Sequence, residues 1–310
     1  MSKASNVKEH PVIWYQASAC TGCVVAVING AAPNAQDLIV DQIAPGHHVS
    51  LLFIPTIMAG QGELALKILK AAEEATQDYL LVVDGAVPTA AGGKFGLAGK
   101  VDGETTMQEQ LLRLAEKASA IVALGTCAAY GGIHAAKPNP TGCISVSQLL
   151  KEAGLEKPLI NIPGCPPHPD WFTGTVAHAL LFGWPVADEV DTAGRPKRFF
   201  GKLLHDLCPR RGYFEAHRFA KTMGDPECLY ELGCKGPWTH ADCPERQFNH
   251  GTNWCIQAGS PCHGCVEPFF PDISCPIYEK IGLVELPRIR RQEAGDKVTA
   301  VSRPEPTEVE

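Results

Sequence analysis

Pro11-Val-Ile-Trp-Tyr-Gln-Ala-Ser-Ala-Cys-Thr-Gly-Cys23 joins a short apolar run, residues 12–15, to a pair of cysteines. Such a run predicts a strand, and further candidates follow at residues 49–54, 79–83, 120–124 and 159–162. Apart from Ser50 and Asn161, each run is continuously hydrophobic, as parallel strands buried on both faces are. Helical patterns separate the runs, near residues 63–74, 107–117, 145–153 and 170–182. This alternation predicts an α/β fold with a doubly wound parallel sheet.

The cysteines of the first half fall where these strands end. Cys20 and Cys23 follow the first predicted strand, Cys127 follows the fourth and Cys165 follows the fifth. In an open α/β sheet the carboxyl ends of the parallel strands share one edge, and ligands bind there. We therefore expect these four side chains to meet in space.

The second half of the chain has a different character. From Asp191 onward Pro, Gly, Cys and aromatic residues crowd together, and no regular period persists between residues 201 and 276. This segment has too little periodic apolar sequence for a core of its own, so bound cofactors would have to supply one. We expect a first domain at residues 1–190, a smaller irregular domain at residues 191–285, and a flexible or partner-docking tail at residues 286–310.

Charge and hydropathy exclude several classes of protein. The 310 residues carry a net charge of −7 and only a short basic patch, residues 288–291, so nothing predicts nucleic-acid binding. No stretch reaches the roughly 18 apolar residues of a transmembrane helix. The first 20 residues have neither a twin-arginine pair nor an apolar signal core. We expect no membrane anchor in this chain and a cytoplasmic location, with any membrane association made through a partner.

The cysteine count points to metal. Thirteen is an odd number, and a disulfide framework would be expected with a secretory leader. Cys20-Thr-Gly-Cys23 alone also fits a thiol redox motif, and Cys262-His-Gly-Cys265 could be half of a zinc site. Eleven of the cysteines, together with His205, fall into three groups along the chain. This number of ligands is larger than a single zinc site can use. Iron-sulfur clusters bind Cys, with His as an occasional substitute.

Nine short motifs, in order along the chain, carry a resemblance to a known family. They are Cys20-Thr-Gly-Cys23, Gly125-Thr-Cys-Ala-Ala-Tyr-Gly-Gly132, Pro138-Asn-Pro-Thr-Gly142, Pro163-Gly-Cys-Pro-Pro167, Arg195-Pro-Lys-Arg198, His205-Asp-Leu-Cys208, Phe214-Glu-Ala216, Leu232-Gly-Cys-Lys-Gly-Pro237 and Pro261-Cys-His-Gly-Cys265. Over residues 12–271 they resemble the small subunit of nickel-iron hydrogenases. The sheet is then expected to be flavodoxin-like.

The resemblance implies an obligate heterodimer. A separate large subunit would hold the nickel-iron site and oxidise or evolve hydrogen. This chain, with no catalytic residue of its own, would relay electrons through three iron-sulfur clusters to a carrier near the outermost one. The pair could assemble further, for example as a dimer of heterodimers.

The resemblance also implies the ligand sets, residue by residue. The proximal 4Fe-4S cluster matches Cys20, Cys23, Cys127 and Cys165. The distal 4Fe-4S cluster matches His205, Cys208, Cys228 and Cys234. The medial cluster matches Cys243, Cys262 and Cys265.

The chain departs from the family pattern at several positions. Cys255 stands where many relatives have Pro and a 3Fe-4S medial cluster, so this fourth thiolate predicts 4Fe-4S. Gly22 and Gly132 stand where oxygen-tolerant, membrane-bound relatives have two extra cysteines, so their 4Fe-3S cluster is not expected. Cys143 and Cys275 are interpreted as structural.

Two other functions fit parts of the sequence. A regulatory hydrogen sensor has a similar small subunit but turns over slowly. The cluster-bearing subunit of a respiratory quinone reductase shares the α/β cluster fold, although the motifs between residues 205 and 265 argue against it.

Overall fold

The computed structural model describes residues 7–100, 103–185 and 187–281. A sheet of five parallel strands forms its centre. The strands are β1 (Lys8–Gln16), β2 (His47–Phe53), β3 (Leu80–Asp84), β4 (Ala120–Leu124) and β5 (Leu159–Ile162). They lie in the order β2-β1-β3-β4-β5, with every neighbouring pair parallel. This is the flavodoxin-like order of a doubly wound sheet, so the predicted fold class is confirmed.

The helices that accompany the sheet alternate with its strands. They are α1 (Gly22–Ile28), α2 (Ala35–Ile39), α3 (Gly62–Ala75), α4 (Met107–Lys117), α5 (Gly125–Tyr130), α6 (Gly132–Ala135), α7 (Val146–Glu152) and α8 (Pro169–Phe182). A capping box begins α4, since Thr106 and Glu109 each bind the other's main-chain N–H. The four predicted helices are confirmed as α3, α4, α7 and α8. The sequence did not predict α1, α2 and α5, which have seven residues or fewer and too few turns to show a helical period.

Two short antiparallel pairs lie beside the main sheet. Val87–Pro88 pairs with Cys143–Ile144, and Leu97–Lys100 pairs with Glu104–Thr106. None of the described helices is long and apolar enough to cross a membrane.

Different parts of the chain cover the two faces of the sheet. On one face, α3, α4 and α7 bury Leu69, Leu114 and Leu149 in a core built only from first-half residues. On the other face, α1, α2 and α8 share a core with Phe199 and Phe200 of the second half. The second half therefore packs against the sheet and completes its second core.

Between residues 187 and 281, the second half contains only short elements. They are α9 (Lys197–Phe200), α10 (Leu204–Leu207), α11 (Arg211–Glu215), α12 (Cys243–Arg246), and 3₁₀ turns at Leu229–Leu232 and Gly236–Trp238. A small apolar cluster there includes Leu204, Trp254, Cys234 and Cys262, so cysteine side chains form part of its interior. The proposed tail, residues 286–310, lies outside the described residues.

Candidate metal centres

The predicted proximal ligands meet at the carboxyl edge of the sheet. Cys23 lies in the first turn of α1, Cys127 lies in α5 and Cys165 follows β5. The Cys23 thiol interacts electrostatically with those of Cys127, Cys20 and Cys165. Burial is the main cause that raises the pKa of Cys23, and Asp84 is the second. The structure thus gathers these four cysteines, here called the proximal group.

Glycines keep space open around these sulfurs. A Cβ atom on Gly125, whose φ is +84°, would lie 2.4 Å from the Cys23 sulfur. A Cβ atom on Gly132, whose φ is +53°, would lie 2.9 Å from the Cys127 sulfur. Real Cβ contacts essentially never fall below 3.0 Å. In this structure neither position has room for a Cβ atom, and the two glycines let the backbone approach the Cys23 and Cys127 sulfurs closely.

The predicted medial ligands also come together. Cys243 begins α12, and its thiol interacts first with that of Cys265 and then with that of Cys255. The Cys262 thiol interacts with the Cys265 thiol as well. Burial raises the pKa of all four thiols, that of Cys265 to about 12. Cys255 thus joins the other three in one set, here called the medial group.

The predicted distal ligands line one small cavity, which is partly open to solvent. Its wall includes Cys208, Cys228, Cys234 and His205. These four residues are here called the distal group. The His205 ring packs edge-on against Phe214, with ring centroids 4.7 Å apart. Burial, followed by the charge of Arg211, lowers the pKa of His205, which favours the neutral imidazole that a metal requires.

The three groups adjoin in sequence. The thiols of Cys165 and Cys265 interact electrostatically, which links the proximal and medial groups. The thiol of Cys262 interacts with that of Cys234, and both side chains lie in one apolar cluster, which links the medial and distal groups. The order along the molecule is therefore proximal, medial, distal.

A buried hydroxyl strengthens the first of these links. Thr126 Oγ1 accepts a hydrogen bond of 2.9 Å from the Gly164 N–H and donates one to the Cys265 carbonyl. Thr126 is 1% exposed, so neither bond is exchanged for water. Three loops, each next to or including a predicted ligand, are held by this one side chain.

The donor sets fit iron-sulfur clusters better than the alternatives. Burial raises the pKa of Cys23 far above its usual range, whereas a redox Cys-X-X-Cys pair lowers it toward neutral pH. Within residues 7–100, 103–185 and 187–281, no three His, Cys, Asp or Glu side chains are placed to bind a single metal ion. A cluster distributes its ligands over several irons, and metal binding deprotonates the thiols outright.

Sequence patterns missed two polar residues at the site. Asp84 is fully buried and accepts hydrogen bonds from Trp14 Nε1 at 3.3 Å and Gln16 Nε2 at 3.2 Å. Burial raises the pKa of Asp84 to about 6. Asp84 lies at the end of β3, on the same edge of the sheet as the cysteines, and this position could have identified it from the sequence as a site residue. Thr126 gave no comparable signal, because its role depends on two distant loops.

The two remaining cysteines differ in exposure. Cys143 is buried, and Asn139 binds both its main-chain N–H and its carbonyl. Cys275 is exposed. Neither belongs to the three groups.

Two family models match the chain. Residues 20–179 match the NADH ubiquinone oxidoreductase 20 kDa subunit, and residues 200–278 match the C-terminal part of the NiFe/NiFeSe hydrogenase small subunit. The second match spans the medial and distal groups, which separates this chain from the respiratory subunit.

Full-length relatives agree with the second match. The periplasmic [NiFeSe] hydrogenase small subunit of Desulfomicrobium baculatum is 44% identical over 282 residues, which cover 87% of each chain. The periplasmic [NiFe] hydrogenase small subunit of Solidesulfovibrio fructosivorans is 45% identical over 287 residues, covering 90% of this chain and 85% of the relative. Both names include "periplasmic", which conflicts with the cytoplasmic location expected from the sequence.

A solved structure shares the fold over nearly the same span. The recombinant [NiFeSe] hydrogenase from Desulfovibrio vulgaris Hildenborough contains a chain that superposes with a TM-score of 0.83 at 40% identity. The superposition covers 89% of the present chain and 100% of the other.

Proposed function

This chain belongs to the small subunits of nickel-iron hydrogenases, and we propose that it relays electrons through three 4Fe-4S clusters to an outlet at His205. It is the iron-sulfur subunit of a hydrogenase and acts with a large subunit in the reaction H2 = 2 H+ + 2 e−. The proposal adds the ligand of each iron, the number and type of clusters, and the path of the electrons. The nickel-iron site belongs to the large subunit in this scheme.

The continuity of the three groups is the observation that carries the proposal. The thiols of Cys165 and Cys265 interact electrostatically, and so do those of Cys262 and Cys234. Thr126, next to Cys127, also donates a hydrogen bond to the Cys265 carbonyl. Neighbouring groups are thus adjacent through a ligand of each. Such a series supports electron relay, whereas isolated structural metal sites would have no reason to touch.

The residues of this chain would hold and tune the clusters, which when bound supply one-electron redox chemistry. Eleven thiolates and the His205 imidazole would bind the irons. The Gly236 N–H donates to the Cys234 sulfur at 3.4 Å, and His134 Nδ1 lies 3.4 Å from the Cys127 sulfur. Hydrogen bonds to cluster sulfurs are one of the protein's means of setting reduction potential.

His205 suits the outer end of the series. A neutral imidazole in place of a thiolate removes one negative charge from the distal site, which raises its reduction potential and draws electrons outward. Arg211 next to it pairs with Asp206 and with Glu215, the latter at 2.9 Å. This charged rim is where we place the docking of the external electron carrier.

Cys255 supplies the fourth medial thiolate. Its place with Cys243 and Cys265 supports a 4Fe-4S cluster and not a three-iron one. Three four-iron clusters give about 12 irons for each chain.

The edge that carries the proximal group would face the large subunit. Cys20 and Cys165 are exposed in the isolated chain, and Ile133 nearby is 56% exposed. A cluster bound there needs cover from water, which the large subunit would provide. In this arrangement residues 1–190 carry the proximal group, and residues 191–285 carry the medial and distal groups.

The cellular location expected from the sequence is cytoplasmic, whereas the names of the two relatives include "periplasmic". A cytoplasmic enzyme would fractionate with cytosolic markers, whereas the named relatives are periplasmic. Fractionation of the native source, followed by immunodetection of this chain, decides between the two.

The mass of the purified complex distinguishes one heterodimer from a dimer of heterodimers.

The direct test is an iron and sulfide count on this chain purified with its large subunit. We expect about 12 of each. A count of about 11 irons with an oxidised 3Fe-4S signal in the EPR spectrum would remove Cys255 from the ligand set. Hydrogen-dependent dye reduction on the same sample tests the catalytic role, because a hydrogen sensor turns over slowly.

A further inference from the structure

Lys235 is a fully buried cation that the cluster ligands do not explain. It follows Cys234 of the distal group, and its exposed fraction is 0%. Its Nζ donates three hydrogen bonds to main-chain carbonyls: 2.7 Å to Gly233, 3.0 Å to Ile277 and 2.8 Å to Glu279.

These three bonds indicate that the side chain is charged. An ammonium group has three N–H donors, whereas a neutral amine has two and would point its lone pair at a carbonyl. The three acceptors around Nζ therefore match the protonated form. Lys235 brings a full positive charge into the interior.

A buried charge is unfavourable unless an opposite charge compensates it. Burial lowers the pKa of Lys235, whereas the thiols of Cys234, Cys275 and Cys262 and the carboxylate of the exposed Glu279 act in the opposite direction. The interaction with Cys234 is the strongest of the four, and that with Glu279 is the weakest. Most of the compensating negative charge therefore comes from cysteine sulfurs.

Two of these cysteines, Cys234 and Cys262, belong to the distal and medial groups. The Lys235 N–H donates to the Cys262 carbonyl at 2.7 Å, and a Cβ atom on Gly264 would lie 3.3 Å from the Lys235 Cβ. Lys235 is therefore bonded to Cys234 on one side and packed on the Cys262–Cys265 loop on the other. Thiolate-bound clusters at these two groups would carry net negative charge.

We propose that Lys235 is the charge-compensating residue of the medial and distal clusters and raises the reduction potential of both. This inference rests on the ligand assignments proposed above. Reduction adds one electron to a cluster, so a fixed positive charge nearby favours the reduced state. The effect is large in the interior because a buried charge is poorly screened by solvent. The proximal group, which does not contact Lys235, would feel little of it.

The test is an EPR-monitored redox titration of the purified heterodimer. Lys235→Gln removes the charge and keeps amide donors for the carbonyls, whereas Lys235→Arg keeps the charge. We expect Lys235→Gln to shift the ratio of oxidised to reduced medial and distal clusters about tenfold toward oxidised, which is about 59 mV for a one-electron couple. The proximal couple should not move. Lys202→Gln is the matched control, since Lys202 is an exposed lysine of the same half, 69% exposed.

Unchanged medial and distal potentials in a fully loaded Lys235→Gln protein would overturn the proposal, and Lys235 would then only tie the carbonyls together. If Lys235→Gln fails to assemble, iron content in Lys235→Arg and Lys235→Met decides. We expect normal loading in the first and loss of medial and distal iron in the second, and equal loading would overturn the proposal. A low iron count in the unmodified protein would refute the cluster assignments instead, so the two failures are distinguishable.

Discussion

Gly125→Ala should remove the proximal cluster by displacing one ligand. The new Cβ would lie 2.4 Å from the Cys23 sulfur, 1.0 Å short of the 3.4 Å at which ordinary contact begins. Cys23 cannot easily retreat, because its helix α1 is anchored in the core by Val24 and Val27, which are 0% and 1% exposed.

The expected free-energy cost of Gly125→Ala has two parts. A non-glycine residue in the left-handed region, where the Gly125 φ is +84°, costs about 1–2 kcal/mol. Overpacking a filled interior adds about 1–3 kcal/mol, and here it acts directly on a ligand sulfur. The second part alone corresponds to a roughly 5- to 150-fold weaker proximal site.

Gly154→Ala is the matched control. The Gly154 φ is +67°, but nothing lies within 4 Å of its Cβ position. This variant therefore incurs only the backbone cost, and it should retain all of its iron.

Iron content and the proximal EPR signal of the purified heterodimer measure the outcome. We expect Gly125→Ala to lose about four of about 12 irons, and Gly154→Ala to lose none. A fully loaded Gly125→Ala protein with an unaltered proximal signal would refute the reasoning, because the sulfur would then have room that the structure denies it.

Three further predictions follow from the site. Cys255→Pro should convert the medial cluster to 3Fe-4S and raise its potential, and an unchanged iron count with no new EPR signal would remove Cys255 from the ligands. His205→Ala should spare hydrogen–deuterium exchange, which needs no external acceptor, while hydrogen-dependent dye reduction falls about tenfold or more. If both activities fall together, His205 is structural and the outlet lies elsewhere. Iron chelation should expose residues 201–276 to protease before residues 1–190, because the core under α3, α4 and α7 contains no second-half side chain. Equal resistance of both regions would contradict a cluster-dependent second half.

The sheet could be predicted because its strands are buried on both faces. Residues 120–124 are a continuous apolar run, residues 159–162 are apolar except for Asn161, and the structure has strands with these same bounds. Parallel strand ends share an edge, so the meeting of Cys23, Cys127 and Cys165 followed from their positions alone. In the second half the grouping came from family resemblance, since no periodic pattern fixes those loops.

The contacts between the groups could not be predicted. The interaction between the Cys165 and Cys265 thiols joins residues 100 positions apart, and it depends on how two irregular loops pack. The same holds for Thr126 and for the Lys235 ammonium, whose partners are main-chain carbonyls. Every residue has a main-chain carbonyl, so the sequence does not indicate which carbonyls accept these hydrogen bonds.

The aromatic core shared by the two halves limits how this molecule can be recombined. The ring of Phe200 lies 4.8 Å from that of Trp171 on α8, whose Nε1 donates to Asp242 at 2.8 Å. Deleting one such buried aromatic side chain costs about 3–5 kcal/mol. The second half of a relative would pack on this sheet only if its aromatic side chains fitted against Trp171 on α8. We therefore expect the second half of this chain to be exchanged successfully only together with the α8 surface on which it packs.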